Sequence, residues 1–104
     1  MIPYSIVLPL PPSSGRSIDF TSEVKLSIKL QKIPNLKGKL WVVARIFPRD
    51  KRNINEAVLR KNLMNALQHA GVYDNDSQID DLQIKRGMVI KGGKCEVLIG
   101  ELEK

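Results

Sequence analysis

Leu40-Trp41-Val42-Val43-Ala44-Arg45-Ile46-Phe47 is apolar at almost every position. Leu40, Val42, Ala44 and Ile46 fall on one side of an extended chain. Trp41, Val43 and Phe47 fall on the other, with Arg45 the one charge. A strand apolar on both faces belongs inside a sheet. The stretch is therefore expected to be the central strand, with Trp41 in the core.

Working outward from its C-terminal end, Pro48-Arg49-Asp50-Lys51-Arg52 is a charged loop. A helix follows. Asn53, with Glu56 three residues on, resembles a capping box, and Asn55 is an equal candidate for the cap. Leu59, Leu63, Ala66, Leu67 and Ala70 form one apolar stripe at helical spacing. Arg60 and Lys61 lie off that stripe, facing solvent or a ligand. Gly71 is placed to end the helix. After Val72-Tyr73 and the polar loop Asp74-Asn75-Asp76-Ser77-Gln78, the segment from Ile79 to Gly87 alternates as a strand. Met88 to Ile90, Lys91-Gly92-Gly93-Lys94 and Cys95 to Ile99 are expected as strand, tight turn and strand, a glycine-centred hairpin.

On the N-terminal side, Pro34-Asn35-Leu36-Lys37-Gly38 is a turn. Val24, Leu26, Ile28 and Leu30 alternate with Lys25, Ser27, Lys29 and Gln31. Period two favours a half-buried strand over the rival reading, a helix capped by Thr21 or Ser22. Pro11 to Arg16 is a loop. Tyr4 to Leu8, closed by Pro9, is a strand at or near a sheet edge. The expected architecture is α+β: a small mixed β-sheet packed by one or two helices, in one domain over residues 1–104.

Seventeen Lys+Arg against eleven Asp+Glu give a net charge of +6. A small basic domain is a candidate for nucleic acid, since clustered cations displace counterions from phosphates. A single cysteine, Cys95, excludes an internal disulfide and a Cys-rich zinc site. Together with an N-terminus that lacks a basic leader and is broken by prolines, it points to a reducing, cytoplasmic setting and to a buried hydrophobic role for Cys95. The sequence carries no membrane span and no glycine-rich nucleotide loop, so neither a membrane nor a nucleotide cofactor is expected. His69, near a helix C-terminus, has no nucleophile beside it. Asp80 and Asp81 are expected on a solvated strand face.

From Pro48 onward the chain resembles the RusA family of Holliday junction resolvases. Arg52-Asn53-Ile54-Asn55-Glu56 stands where the family has Arg-Asp-x-Asp-Asn. Leu59-Arg60-Lys61 resembles its lysine-bearing segment, after an apparent two-residue insertion at Ala57-Val58. Asn65-Ala66-Leu67-Gln68-His69-Ala70-Gly71-Val72-Tyr73 is similar to its helix end, and Asn75-Asp76-Ser77-Gln78-Ile79 to its Asp-Asp-x-Gln motif. Lys91-Gly92-Gly93-Lys94 resembles its last hairpin. Tyr4 to Pro9 and Pro11-Pro12-Ser13 are similar to its opening strand and loop.

The resemblance implies a homodimeric, Mg²⁺-dependent endonuclease that recognises four-way DNA junctions. It implies catalytic and metal-binding roles at positions 53, 55 and 76, and a charge-stabilising role at Lys61. Asp76 and Lys61 match in chemistry, whereas Asn53, Asn55 and Asn75 stand where the family has acids. Asparagine keeps the shape of aspartate and one carbonyl ligand but not the charge that attracts Mg²⁺. Three accounts follow: a homologue that binds DNA and cuts poorly, an active variant in which Glu56, Asp50 or Asp74 supplies a ligand, or an engineered inactive form or unrelated protein. The insertion turns Lys61 by about half a helical circle. Lys51, Arg52, Arg60, Lys61, Lys85, Arg86, Lys91 and Lys94 are the candidate phosphate contacts.

Overall fold

A computed structural model of the chain describes residues 3–12, 18–51 and 54–102. The central stretch forms strand β2 (Leu40–Phe47), with a strand on each side of it in the sheet. Tyr4–Leu8 is β1, Ile79–Arg86 is β3 and Lys94–Glu101 is β4. Two helices, α1 (Ile18–Leu30) and α2 (Glu56–His69), complete the α+β fold. The sheet order is β1-β4-β2-β3, so β1 is an edge strand, as expected, and β3 is the other edge. β4 runs antiparallel to both neighbours, and β2 and β3 are parallel. Parallel neighbours need a crossover, and α2 supplies it.

Two expectations are corrected. The segment from Val24 to Leu30 is helix, not strand. Val24 and Ile28 fit both periods, but Phe20, Val24 and Ile28 are buried at helical spacing, while Leu26 and Leu30 are 57% and 70% exposed. The amphipathic face packs on α2 and β1. The second correction concerns the C-terminal hairpin. Met88–Ile90 is not a strand, and β4 pairs with β1 and β2 rather than with β3. The connection crosses the end of β2, held by Gly87 N–H to Ile46 O at 2.7 Å and Ile90 N–H to Pro48 O at 2.8 Å. Gly92 and Gly93 do adopt the positive φ expected of them, 81° and 67°.

Both helices cover one face of the sheet. Ile6, Leu8, Leu40, Val42, Ala44, Ile46, Cys95, Val97 and Ile99 meet Phe20, Val24, Leu59, Leu63 and Leu67 in one core. Cys95 is fully buried there, as its apolar surroundings in the sequence suggest. The other face has no helix among the described residues. Trp41 lies on it half-buried, contrary to the expectation of a core site, because only the even-numbered side chains of β2 face the helices. Its ring covers Gly100, where an added Cβ would come within 2.8 Å of the indole. No described helix is long and apolar enough to cross a membrane.

Candidate functional site

The polypeptide from β2 through α2 to β3 places the chemistry at two opposite ends. At the first end, where β2 finishes, Asn55 is the N-cap of α2. Its side-chain oxygen accepts the Val58 N–H at 3.2 Å. Arg52 and Asn53 lie outside the described residues. Glu56 is exposed in the first helical turn, with Arg60 and Lys61 exposed one turn further on. Ile54, Glu56 and Leu59 line a shallow groove with Ile46, Ile84, Lys85 and Arg86.

The cations gather at the same end. Lys51 follows β2, Lys85 and Arg86 end β3, and Lys91 sits in the turn before β4, all four exposed. Arg49 is exposed beside them, a cation that the sequence reading did not single out. Lys94 is engaged within the chain: its ammonium lies 5.2 Å from the centre of the Phe47 ring and 3.2 Å from a Glu96 carboxylate oxygen.

At the other end, α2 closes in a Schellman motif. Gly71 N–H donates to Gln68 O and Val72 N–H to Leu67 O, at 3.0 and 3.1 Å, with Gly71 at φ 83°. Val72 and Tyr73 are buried, and the polar loop that follows is clamped by the turn preceding β2. Gln78 is the centre of the clamp. Its side-chain oxygen accepts the Asp74 and Asn75 N–H groups at 2.8 and 3.0 Å, while its amide nitrogen donates to Leu36 O and Gly38 O at 3.1 and 2.9 Å. Asn75 caps the short 3-10 turn Asp76–Gln78 by accepting Ser77 N–H at 2.9 Å. Asn35 donates to Asp74 and Gly71, Lys37 pairs with Asp74 at 2.7 Å, and Lys39 reaches Ser77 O and Asp80. Lys37 and Asn35 hold the Asp74 carboxyl below its usual range. Asp74 is thus committed to shaping the loop.

Asp76 opens the 3-10 turn, exposed, beside the Tyr73 hydroxyl. That hydroxyl donates to Met64 O at 2.6 Å. Burial first, and the Asp76 charge second, push the phenol's pKa upward, so Tyr73 stays neutral and anchors the loop to α2. Asp80 and Asp81 are exposed on β3, as expected for a solvated strand.

Among the described residues, the structure therefore does not bring the sequence-predicted acids and amides together. Asn55 and Glu56 stand at the N-terminus of α2, and Asp76 lies past its C-terminus. The helix between them has 14 residues. At 1.5 Å per residue it spans about 21 Å. Among the described residues no three His, Cys, Asp or Glu side chains are grouped so as to hold a metal ion. The clamp residues Asn35, Lys37 and Lys39 have no motif to reveal them: their role depends on a contact more than thirty positions away.

Comparison with known proteins gives one informative likeness. Over an alignment of 117 positions the chain is 28% identical to the crossover junction endodeoxyribonuclease rusA of Enterobacteria phage HK97, covering 96% of each. This is a distant, end-to-end likeness to a RusA enzyme. No family model matches the chain. The likeness supports a RusA-like nuclease class and agrees with the small mixed α+β fold.

Proposed function

We propose that the protein is a RusA-type endodeoxyribonuclease that binds four-way DNA junctions as a homodimer and cleaves them with Mg²⁺. The observation that carries this reading is the end-to-end likeness to the phage HK97 enzyme. The group of exposed cations at the end of the sheet where β2 and β3 finish supports it, with exposed Asp76 at the other. Lys51, Arg60, Lys61 and Lys91, with Arg49, present separate ammonium and guanidinium groups to successive phosphates. Mg²⁺, when bound, would lower the pKa of the attacking water and neutralise the phosphate. Asp76 is the described acid in register with the family's motif. Asn55, already used as a helix cap, offers only a neutral oxygen. One acid and one neutral oxygen, held at opposite ends of α2, attract a cation weakly, so cutting is slow relative to binding.

A second reading is a junction-binding homologue that does not cut. The capping bond of Asn55 favours it, because the amide oxygen is engaged in starting the helix. The two readings separate in one assay on a synthetic four-way junction. Salt-sensitive binding with Mg²⁺-dependent nicks supports the nuclease. Binding without nicks at any Mg²⁺ concentration supports the second reading. Equal affinity for linear and branched duplex removes both.

A further inference from the structure

Met88 is 74% exposed, more than any other large hydrophobic side chain among the described residues, and Val89 beside it is 46% exposed. A single exposed apolar residue means little. These two are consecutive, and the turn that carries them is pinned on both sides. Gly87 N–H donates to Ile46 O and Ile90 N–H to Pro48 O, at 2.7 and 2.8 Å, and Gly93 N–H closes on Ile90 O at 2.9 Å. Below, the backbone rests on Phe47 and Leu10. A Cβ at Gly87 would meet the Phe47 ring at 2.7 Å, and one at Gly93 would meet the Leu10 side chain at 2.9 Å. The pair therefore projects from a built support, and little ordering remains to be done on contact with a ligand.

The surroundings are cationic. From Lys85 to Lys94 the chain has four cations and no acid. Arg86 stands just before the pinned turn and Lys91 just after it, both exposed. Arg49 and Lys51, also exposed, follow the Pro48 carbonyl that anchors Ile90. An apolar tip inside a cationic rim fits a polyanion that has an apolar surface within reach. Two side chains are too small an area to hold a membrane. DNA has such a surface in the faces of its bases, and methionine suits it: the thioether is unbranched, polarisable and favourable against a ring.

We propose that Met88 and Val89 enter the opened centre of a four-way junction and lie against an exposed base-pair face, while the cations around them hold the adjoining phosphates. The proposal rests on the junction reading given above and adds the groups that tell branched DNA from linear. Phosphate contacts alone carry little of that distinction, because both forms offer phosphates. Within a linear duplex each base face is covered by the next pair, and a wedge has to unstack them. At a branch point the stacking is already interrupted, so the same contact costs less. The tip discriminates by that difference.

The test places a fluorescent adenine analogue, which brightens on unstacking, at the branch point of a synthetic four-way junction. Wild-type protein should raise its fluorescence severalfold, with no rise from the same base placed midway along an arm. Met88→Ser with Val89→Ser should lose the rise and about tenfold in junction affinity, the worth of burying one such side chain. Affinity for linear duplex should stay within about twofold, since the cations remain. Met88→Leu alone should behave as wild type. A rise that survives in the double variant, or junction binding by the wild type without a rise, would overturn the proposal and leave the junction reading standing. Absence of salt-sensitive junction binding would overturn both. Should the double variant not fold, wild-type protein supplies the answer through peroxide. Bound junction should slow oxidation of Met88 to the sulfoxide, read by mass spectrometry, and bound linear duplex should not. Equal oxidation in the two complexes refutes insertion.

Discussion

Asn55 and Val58 are joined by the bond that starts α2: the amide oxygen accepts the Val58 N–H at 3.2 Å. Asparagine and aspartate are equally good at this task, and a negative charge there also suits the helix dipole. Asn55→Asp should therefore leave stability within about 0.5 kcal/mol or raise it slightly, whereas Asn55→Ala should cost about 1 kcal/mol. Urea unfolding of the two variants checks both. A large loss in the aspartate variant would mean that the amide nitrogen has a task of its own.

Since the cap tolerates the charge, restoring carboxylates is a clean experiment on chemistry. Asn53→Asp with Asn55→Asp should raise Mg²⁺-dependent nicking of a four-way junction by orders of magnitude. Two anionic oxygens return to the site, and hard cations are held by such ligands. Affinity for the junction without metal should fall slightly. An unchanged nicking rate in a parent that already cuts well would point to Glu56, and Glu56→Gln is then the variant to assay.

Gln78 makes four hydrogen bonds that tie the Asp76 loop to the turn before β2. Gln78→Ala leaves two N–H groups and two carbonyls to find water at a partly exposed site. We expect a loss of about 1–3 kcal/mol. Amide exchange should speed up at Asp74 and Asn75 first. Uniform loss of protection would show that the loop is not held locally by this side chain.

The Asp74–Lys37 pair makes stability pH-dependent on the acid side. The Asp74 pKa is lowered in the fold, first by the Lys37 hydrogen bond. Its contribution is complete above the ordinary aspartate range, ~4, and is lost as pH falls through the depressed folded value. Lys37→Met should flatten this part of the acid limb. Unfolding midpoints measured from pH 6 downward give the comparison, and identical slopes in both proteins would refute the assignment.

Cys95 contributes to the alkaline limb, beside the buried Tyr73 phenol. Burial first, and the neighbouring Glu96 charge second, push its thiol up to about 12 from 9.0. The stabilisation is complete below pH 9.0 and is lost as pH rises toward about 12, because the unfolded chain ionises first. Cys95→Ala should lose stability at neutral pH and show a flatter decline above pH 9.0. Native protein should resist alkylation at pH 8 until it unfolds; rapid labelling would contradict the burial.

Local patterns revealed most of the elements but not how they assemble. The interior position of β2 follows from its two apolar faces, and α2 from its stripe, its cap and Gly71. The helix α1 escaped because Val24 and Ile28 satisfy both periods, and only exposure at Leu26 and Leu30 decides between them. The placement of β4 between β1 and β2 is a long-range pairing, invisible to a reading of neighbours along the chain. The site was legible as residues and not as geometry. Asn55 and Asp76 stand in motifs separated by one helix, and a helix carries its two ends apart.

The Gln31 side chain bonds both backbone groups of Val7 on the outer side of β1: its oxygen accepts the N–H at 3.2 Å and its nitrogen donates to the C=O at 3.1 Å. A strand adding to that edge would have to displace this side chain before it could pair with Val7, so one residue just past α1 acts as a guard against edge-to-edge aggregation.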